Sequence, residues 1–206
     1  MNSSAHKFPI AVLVSGNGSN LQAIIGAIES GRLDAEIRVA ISSSSSAYAL
    51  ERCKKHGINS AVHDQKAYAS KEEFETAIVQ TIIESGAKLI CLAGFMKVLS
   101  DAFVNKFSGF IMNIHPSLLP SFKGLHAQRQ ALEYGAKVSG CTIHFVNENL
   151  DGGPIILQVP VPILPDDTEE TLSSRILREE HKLYPAAIQL FARGKLKIEG
   201  RKVLIS

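Results

Sequence analysis

Short apolar runs recur along the chain, separated by stretches in which apolar residues return every third or fourth position. Residues 10–14 form an unbroken apolar run of strand length that Ser15 and Gly16 end. A helix is expected over about 20–29, a strand over 37–41, a helix over 47–56 and a short strand over 60–63. Phe74, Ile78 and Ile82 fall at i, i+4 and i+8, marking one face of a helix that reaches about Ser85. Residues 87–92 and 110–115 read as further buried strands. Strand, helix and strand repeated in this way predicts parallel pairing with helices on both faces of the sheet.

The second half reads differently. Residues 141–146 and 155–161 are strands with no helix between them, which predicts antiparallel additions to the sheet. Pro160 and Pro162 bring no N–H, so the second of these strands belongs at an edge or an end. A final helix starts near Asp167 or Thr168, with Glu169 and Glu170 placed where the helix dipole favours acids. Pro185 should kink it or end its first segment. The serine run 42–46 is too short for a linker and reads as the loop after the second strand. The expectation is an α/β fold, doubly wound, with a mostly parallel sheet and antiparallel additions in the C-terminal part. One domain over 1–206 is expected. Its parallel half runs over about 9–115; loops, antiparallel strands and the C-terminal helix follow over about 116–206.

Composition narrows the classes of function. At 206 residues and 45% hydrophobic, the chain can build a large core, burying roughly 70% of its unfolded surface. A net charge of +2, from 22 basic against 20 acidic residues, excludes a broad basic face, so no nucleic-acid partner is expected. Cys53, Cys91 and Cys141 form no C-x-x-C, which excludes a disulfide framework and a cysteine zinc site and points to a reducing compartment. The apolar run 9–14 is too short for a signal peptide, and no run approaches the ~18 residues of a membrane helix. A cytoplasmic protein with no membrane partner is expected.

Three segments carry possible chemistry. Ser15-Gly16-Asn17-Gly18-Ser19-Asn20 lies between a strand and a helix, where close backbone approach and free helix N–H groups suit a phosphate. It lacks the third glycine of a dinucleotide fingerprint, because Leu21 stands there, and no G-K-[ST] follows for a P-loop. A plain turn with Ser19 or Asn20 as N-cap is the competing reading. Asn113-Ile114-His115-Pro116 ends an expected central strand, the edge of an α/β sheet at which ligands bind. Asn113 and His115 are two apart and so point to one side. There an amide and an imidazolium could hold an oxyanion, and the histidine could move a proton. A strand-end histidine satisfied by backbone is the alternative. Asp151 precedes the sharp Gly152-Gly153-Pro154 turn, where its carboxylate either supports a charged histidine or caps its own turn. His56, His63, His126, His144 and His181 show no metal-ligand spacing, and neither Ser15 nor Ser19 sits in a G-x-S-x-G elbow.

Jointly these segments are more specific than any one alone. Residues 15–22 (S-G-N-G-S-N-L-Q), 92–96 (L-A-G-F-M), 113–120, 124–127 (G-L-H-A) and 150–154 resemble the phosphoribosylglycinamide formyltransferases, folate-dependent enzymes of de novo purine synthesis. The resemblance runs through nearly the whole chain in order. It implies formyl transfer from 10-formyltetrahydrofolate, as co-substrate and without a metal, to the amine of glycinamide ribonucleotide. By position, Asn113, His115 and Asp151 match the family's catalytic residues, and Gly18, Ser19 and Asn20 match its substrate-phosphate loop. Glu180 matches the carboxylate at the other end of that substrate. Met96, Lys97, Val98 and Leu99, with Asn113, Asn147, Glu148, Asn149, Leu150 and Asp151, match the folate-lining segments. Lys71 falls where relatives often carry arginine near the folate. A monomer or homodimer acting on small molecules is implied.

A formyltetrahydrofolate deformylase would use similar residues after an extra N-terminal domain, but the first strand here starts near Ile10. A methionyl-tRNA formyltransferase would add a basic C-terminal domain, but this chain stops at Ser206. Another amine formyltransferase is a further alternative. A phosphosugar-binding module would leave Asn113, His115 and Asp151 without a role. Formyl transfer to glycinamide ribonucleotide is the expectation.

Overall fold

The computed structural model describes residues 7–206. The chain divides into two compact units, Met1–Lys97 and Val98–Ser206. In the first, β1 (Phe8–Val14), α1 (Ser19–Glu29), β2 (Ala35–Ser42), α2 (Tyr48–Lys55) and β3 (Ser60–Val62) follow in order. A 3-10 turn (Gln65–Ala67), α3 (Lys71–Ser85) and β4 (Leu89–Leu92) complete it. The strands lie in the order β3-β2-β1-β4, and the pairings of β1 with β2, β1 with β4 and β2 with β3 are parallel. Ile10, Ala11, Val12 and Leu13 are fully buried, as a strand covered on both faces requires. The chain steps outward from β1 to β3, and α3 then carries it back to the other side of β1. With right-handed crossovers, that reversal places α1 and α2 on one face and α3 on the other. The same reversal opens a crevice at the carboxyl ends of β1 and β4.

The second unit holds α4 (Asp101–Lys106), β5 (Ile111–His115), α5 (Ala127–Tyr134), β6 (Val138–Phe145) and β7 (Ile155–Pro162). It ends with α6 (Glu169–Ala192), β8 (Leu196–Glu199) and β9 (Lys202–Ile205). The strand order is β5-β6-β7-β9-β8. β6 runs antiparallel to β7, as the missing helix between them predicts, and antiparallel to β5 as well, although α5 lies between those two. Pro160 and Pro162 face Gly140 and Val138 across one ladder, and β9 reaches β7 only at Ile155. The prolines therefore lie on the stretch of β7 that needs no second set of donors. The α/β class holds, with a parallel first unit and antiparallel C-terminal strands.

Some local expectations change. Pro185 does not end α6, which is continuous from Glu169 to Ala192. The helix enters through a capping box in which Thr168 accepts from the Thr171 N–H. It buries Leu172, Ile176, Glu180 and Tyr184 at four-residue spacing, and burial on that face outweighs one lost backbone bond. Gly18, at φ 73°, is the N-cap of α1, displacing Ser19 and Asn20, and no side chain caps that end. Around α6, Cys141, Val161, Leu172 and Ile176 form one buried cluster. Burial, with the charges of Glu180 and Glu179, pushes the Cys141 thiol up to about 12.

Candidate active site

Within the first unit, the loop after β1 is gripped by α2. The Ala49 N–H donates to the Gly16 carbonyl (3.1 Å), and Arg52 donates through Nε to the Asn17 carbonyl (2.9 Å). Gly18 lies against this helix so closely that a Cβ there would stand 2.7 Å from Ala49 Cβ. Glycine is thus required twice at this position, by its φ and by the approach. The first backbone bond of α1 runs from the Gln22 N–H to the Gly18 carbonyl, so the preceding N–H groups stand before the helix ladder, and an uncapped helix start suits an anion. On the other side of the loop, Ser15 Oγ lies 2.7 Å from Ser43 Oγ and accepts from the Met96 N–H at 2.8 Å. The serine run and the segment after β4 therefore share one hydroxyl.

Within the second unit, β5 and β6 assemble a polar cluster. Asn113 faces His144 across the ladder, and His115 faces Thr142. Directly opposed residues share a face, so Asn113 Nδ2 reaches His144 Nε2 at 3.2 Å. Burial lowers the His144 pKa below its ordinary 6.5, although the Phe145 carbonyl and Asp151 pull it the other way. The ring is neutral: Nδ1–H donates to the Phe145 carbonyl (2.9 Å), which leaves Nε2 to accept from Asn113. His144 Nε2 also lies 3.7 Å from Asp151 Oδ1, within ion-pair reach, but a neutral ring gives no ion pair there.

His115 is only 5% exposed. Its Nε2 lies 2.8 Å from the Phe122 carbonyl and its Nδ1 3.3 Å from Asp151 Oδ2. Both ring nitrogens face acceptors, an arrangement that the doubly protonated ring satisfies completely. The backbone contact expected of a plain strand-end histidine is present, and the carboxylate is added to it. Asp151 sits at φ 46°, a region aspartate tolerates better than most residues. Its Oδ2 also accepts from the Gly124 N–H at 2.8 Å. The Asx-type bond of this loop is made by Asn147, whose Oδ1 accepts from the Asn149 N–H, so the Asp151 carboxylate is turned toward the histidines. Behind the cluster, Thr142 Oγ1 donates to the Ser117 carbonyl (2.6 Å) and accepts from the Leu119 N–H (3.0 Å). Gln158 Nε2 donates to the Leu119 carbonyl at 2.9 Å. These bonds fix the loop that follows His115.

The structure thus brings Asn113, His115 and Asp151 together, and adds His144, Thr142 and Gln158, which the sequence reading did not place there. Period two pairs Thr142 with His144 on one face. The register of β6 on β5, which sets that face over Asn113, is not visible in a single sequence. Gly18, Ser19 and Asn20 lie at the α1 start in the first unit, and Lys71 pairs with Glu75 on α3 (3.7 Å). Met96, Val98 and Leu150 are large apolar side chains left 63%, 70% and 61% exposed. Lys97, Leu99 and Asn147 are half-buried, Glu148 and Asn149 exposed. Glu180 is a carboxylate on the buried stripe of α6. Among the described residues no group of three or more His, Cys, Asp or Glu could hold a metal ion.

Residues 8–188 match the family described as formyl transferase. The chain is 46% identical over 193 residues to the trifunctional purine biosynthetic protein adenosine-3 of Gallus gallus, spanning 94% of this chain but only 19% of that one. It is 43% identical to the phosphoribosylglycinamide formyltransferase of Escherichia coli K12, over 92% of this chain and 89% of the relative. The crystal structure of glycinamide ribonucleotide transformylase 1 from Symbiobacterium toebii superposes with a TM-score of 0.96 at 49% identity, covering 100% of this chain and 98% of that one. With a family match over most of its length and this degree of likeness, the chain belongs to the formyl transferase family.

Proposed function

We propose that this chain, working as a single cytoplasmic formyltransferase domain, transfers the formyl group of 10-formyltetrahydrofolate to the amine of phosphoribosylglycinamide. The observation that carries the reading is the cluster itself: an amide donor, a histidine with both ring nitrogens on acceptors, and a carboxylate within reach of two imidazoles. The names of the relatives support the same substrates. Small molecules are the partners in this reading, with no nucleic acid and no membrane, and a monomer or homodimer suffices.

The folate co-substrate supplies a formyl group already activated on a good leaving nitrogen. Attack by the amine places negative charge on the formyl oxygen, and Asn113 and His115 are the donors to meet it. His144, neutral and accepting, fixes the Asn113 amide so that its second N–H is directed away from the ladder. His115 exchanges the Phe122 carbonyl for the developing oxyanion at Nε2 while Asp151 stays at Nδ1. One proton leaves the attacking nitrogen and one reaches the departing nitrogen, and Asp151 is the base placed to hold a water for that passage. Gly18, Ser19 and Asn20 take the substrate phosphate, and Glu180 its other end. Met96, Lys97, Val98 and Leu99, with Asn147, Glu148, Asn149 and Leu150, line the folate. The exposed apolar side chains among them suit a flat ring, and Lys71 offers a cation to its acidic tail.

The test incubates the protein with 10-formyltetrahydrofolate, with and without glycinamide ribonucleotide. Deformylation only when the amine is present is the expected result. Equal turnover in water alone would make the protein a hydrolase.

A further inference from the structure

We infer that Arg52 is a positioning residue for the substrate phosphate, acting by holding Asn17 and so fixing the shape of the loop from Ser15 to Asn20. The inference rests on the reading that this loop takes the phosphate. Arg52 stands on α2 and spends three donors in two directions. Nε and Nη2 bind the carbonyl (2.9 Å) and Oδ1 (2.8 Å) of Asn17, and Nη1 binds Gln22 Oε1 (3.0 Å). Its guanidinium lies 4.9 Å from the centre of the Tyr48 ring, which adds an aromatic face to the grip.

The polarity of this arrangement is fixed from end to end. Arginine only donates, so Gln22 turns its oxygen to Arg52 and its amide N–H to His56 Nε2 (3.2 Å). His56 then carries its proton on Nδ1, which lies 2.6 Å from Glu29 Oε1. Arg52 thus joins α1, α2 and the loop, each link oriented by the next. A carbonyl drawn toward Arg52 at Asn17 directs the peptide that follows it, and so the N–H groups at the start of α1. Lysine cannot reproduce this, because an ammonium has no planar fork to meet a carbonyl and an amide oxygen together.

The test measures steady-state kinetics and melting of the full chain carrying Arg52→Lys, Arg52→Met or Gly18→Val. For Arg52→Lys and Arg52→Met, KM for glycinamide ribonucleotide should rise about 10-fold or more. Over the same variants kcat and KM for 10-formyltetrahydrofolate should stay within about twofold. The inhibition constant of inorganic phosphate, competing with the ribonucleotide, should rise in proportion. Gly18→Val should raise the ribonucleotide KM as well. If Gly18→Val does so and neither Arg52 variant does, Arg52 has no positioning role and the phosphate reading stands. If none of the three does, the phosphate reading fails and takes the inference with it. Equal losses for both substrates would mark general damage and overturn the inference. Should Arg52→Met fail to fold, Arg52→Lys, which keeps stem and charge, decides between these results.

Discussion

At the scale of single residues, Asp151 joins two roles that asparagine separates. One oxygen accepts from the Gly124 N–H, and the carboxylate charge faces His115 and His144. Asparagine tolerates φ 46° and can keep the Gly124 bond, but it brings no charge. Asp151→Asn should therefore melt within a few degrees of the parent while kcat falls by about 10²-fold or more. A folded variant with full activity would remove the carboxylate from the mechanism. Asn113 and His115 could be found in the sequence because their spacing matches the strand period and a proline marks the strand end. Asp151 was legible as a residue held on a constrained turn, but local sequence left open whether its carboxylate supports a histidine or caps that turn. His144 was hidden, since its role depends on which residue of the neighbouring strand lies opposite.

At the scale of elements, the turn between β6 and β7 carries the geometry that Asp151 needs. A Cβ on Gly153 would stand 1.7 Å from the Phe145 carbonyl oxygen, so the turn would have to leave the end of β6. At Gly152 the near atoms are Asn149 Cβ at 2.6 Å and the Asn149 carbonyl oxygen at 3.1 Å, and they belong to the exposed turn itself. Gly153→Ala should cost about 1–3 kcal/mol, and more than Gly152→Ala. Urea midpoints measure the difference, and activity should fall in the same order. Reversed costs would mean that the turn relaxes where the structure has it clamped. The parallel strands, β6, β7 and α6 were legible because each has a long run or a clear period. The helices α4 and α5 have six and eight residues and show too little period, and β8 and β9, four residues each, keep several apolar side chains exposed. Tertiary packing, not local pattern, gives these elements their form.

At the scale of the molecule, two histidines, His144 buried and His63 half-buried, tie stability to pH. Burial lowers the pKa of His63 and of His144 below the ordinary 6.5. His63 is held by the Tyr68 hydroxyl and Thr81, while His144 is opposed by Asp151 and assisted by His115 and Lys123. Below 6.5 the unfolded chain binds protons that the folded chain does not, so stability is full above that pH and declines as pH falls. Urea midpoints taken between about pH 7.5 and 5.5 should show this slope, and His63→Gln and His144→Gln should each flatten it. An unchanged slope in both variants would place the protons elsewhere. The three buried cysteines have a practical bearing of another kind. A thiol raised to about 12, as at Cys141, offers almost no thiolate to an alkylating reagent at neutral pH, and Cys53 is raised by burial as well. A cysteine introduced at an exposed position, Val98 for instance, would then be the preferred point of attachment for a maleimide dye. The natural chain is a ready background for labelling, with none of its own cysteines replaced.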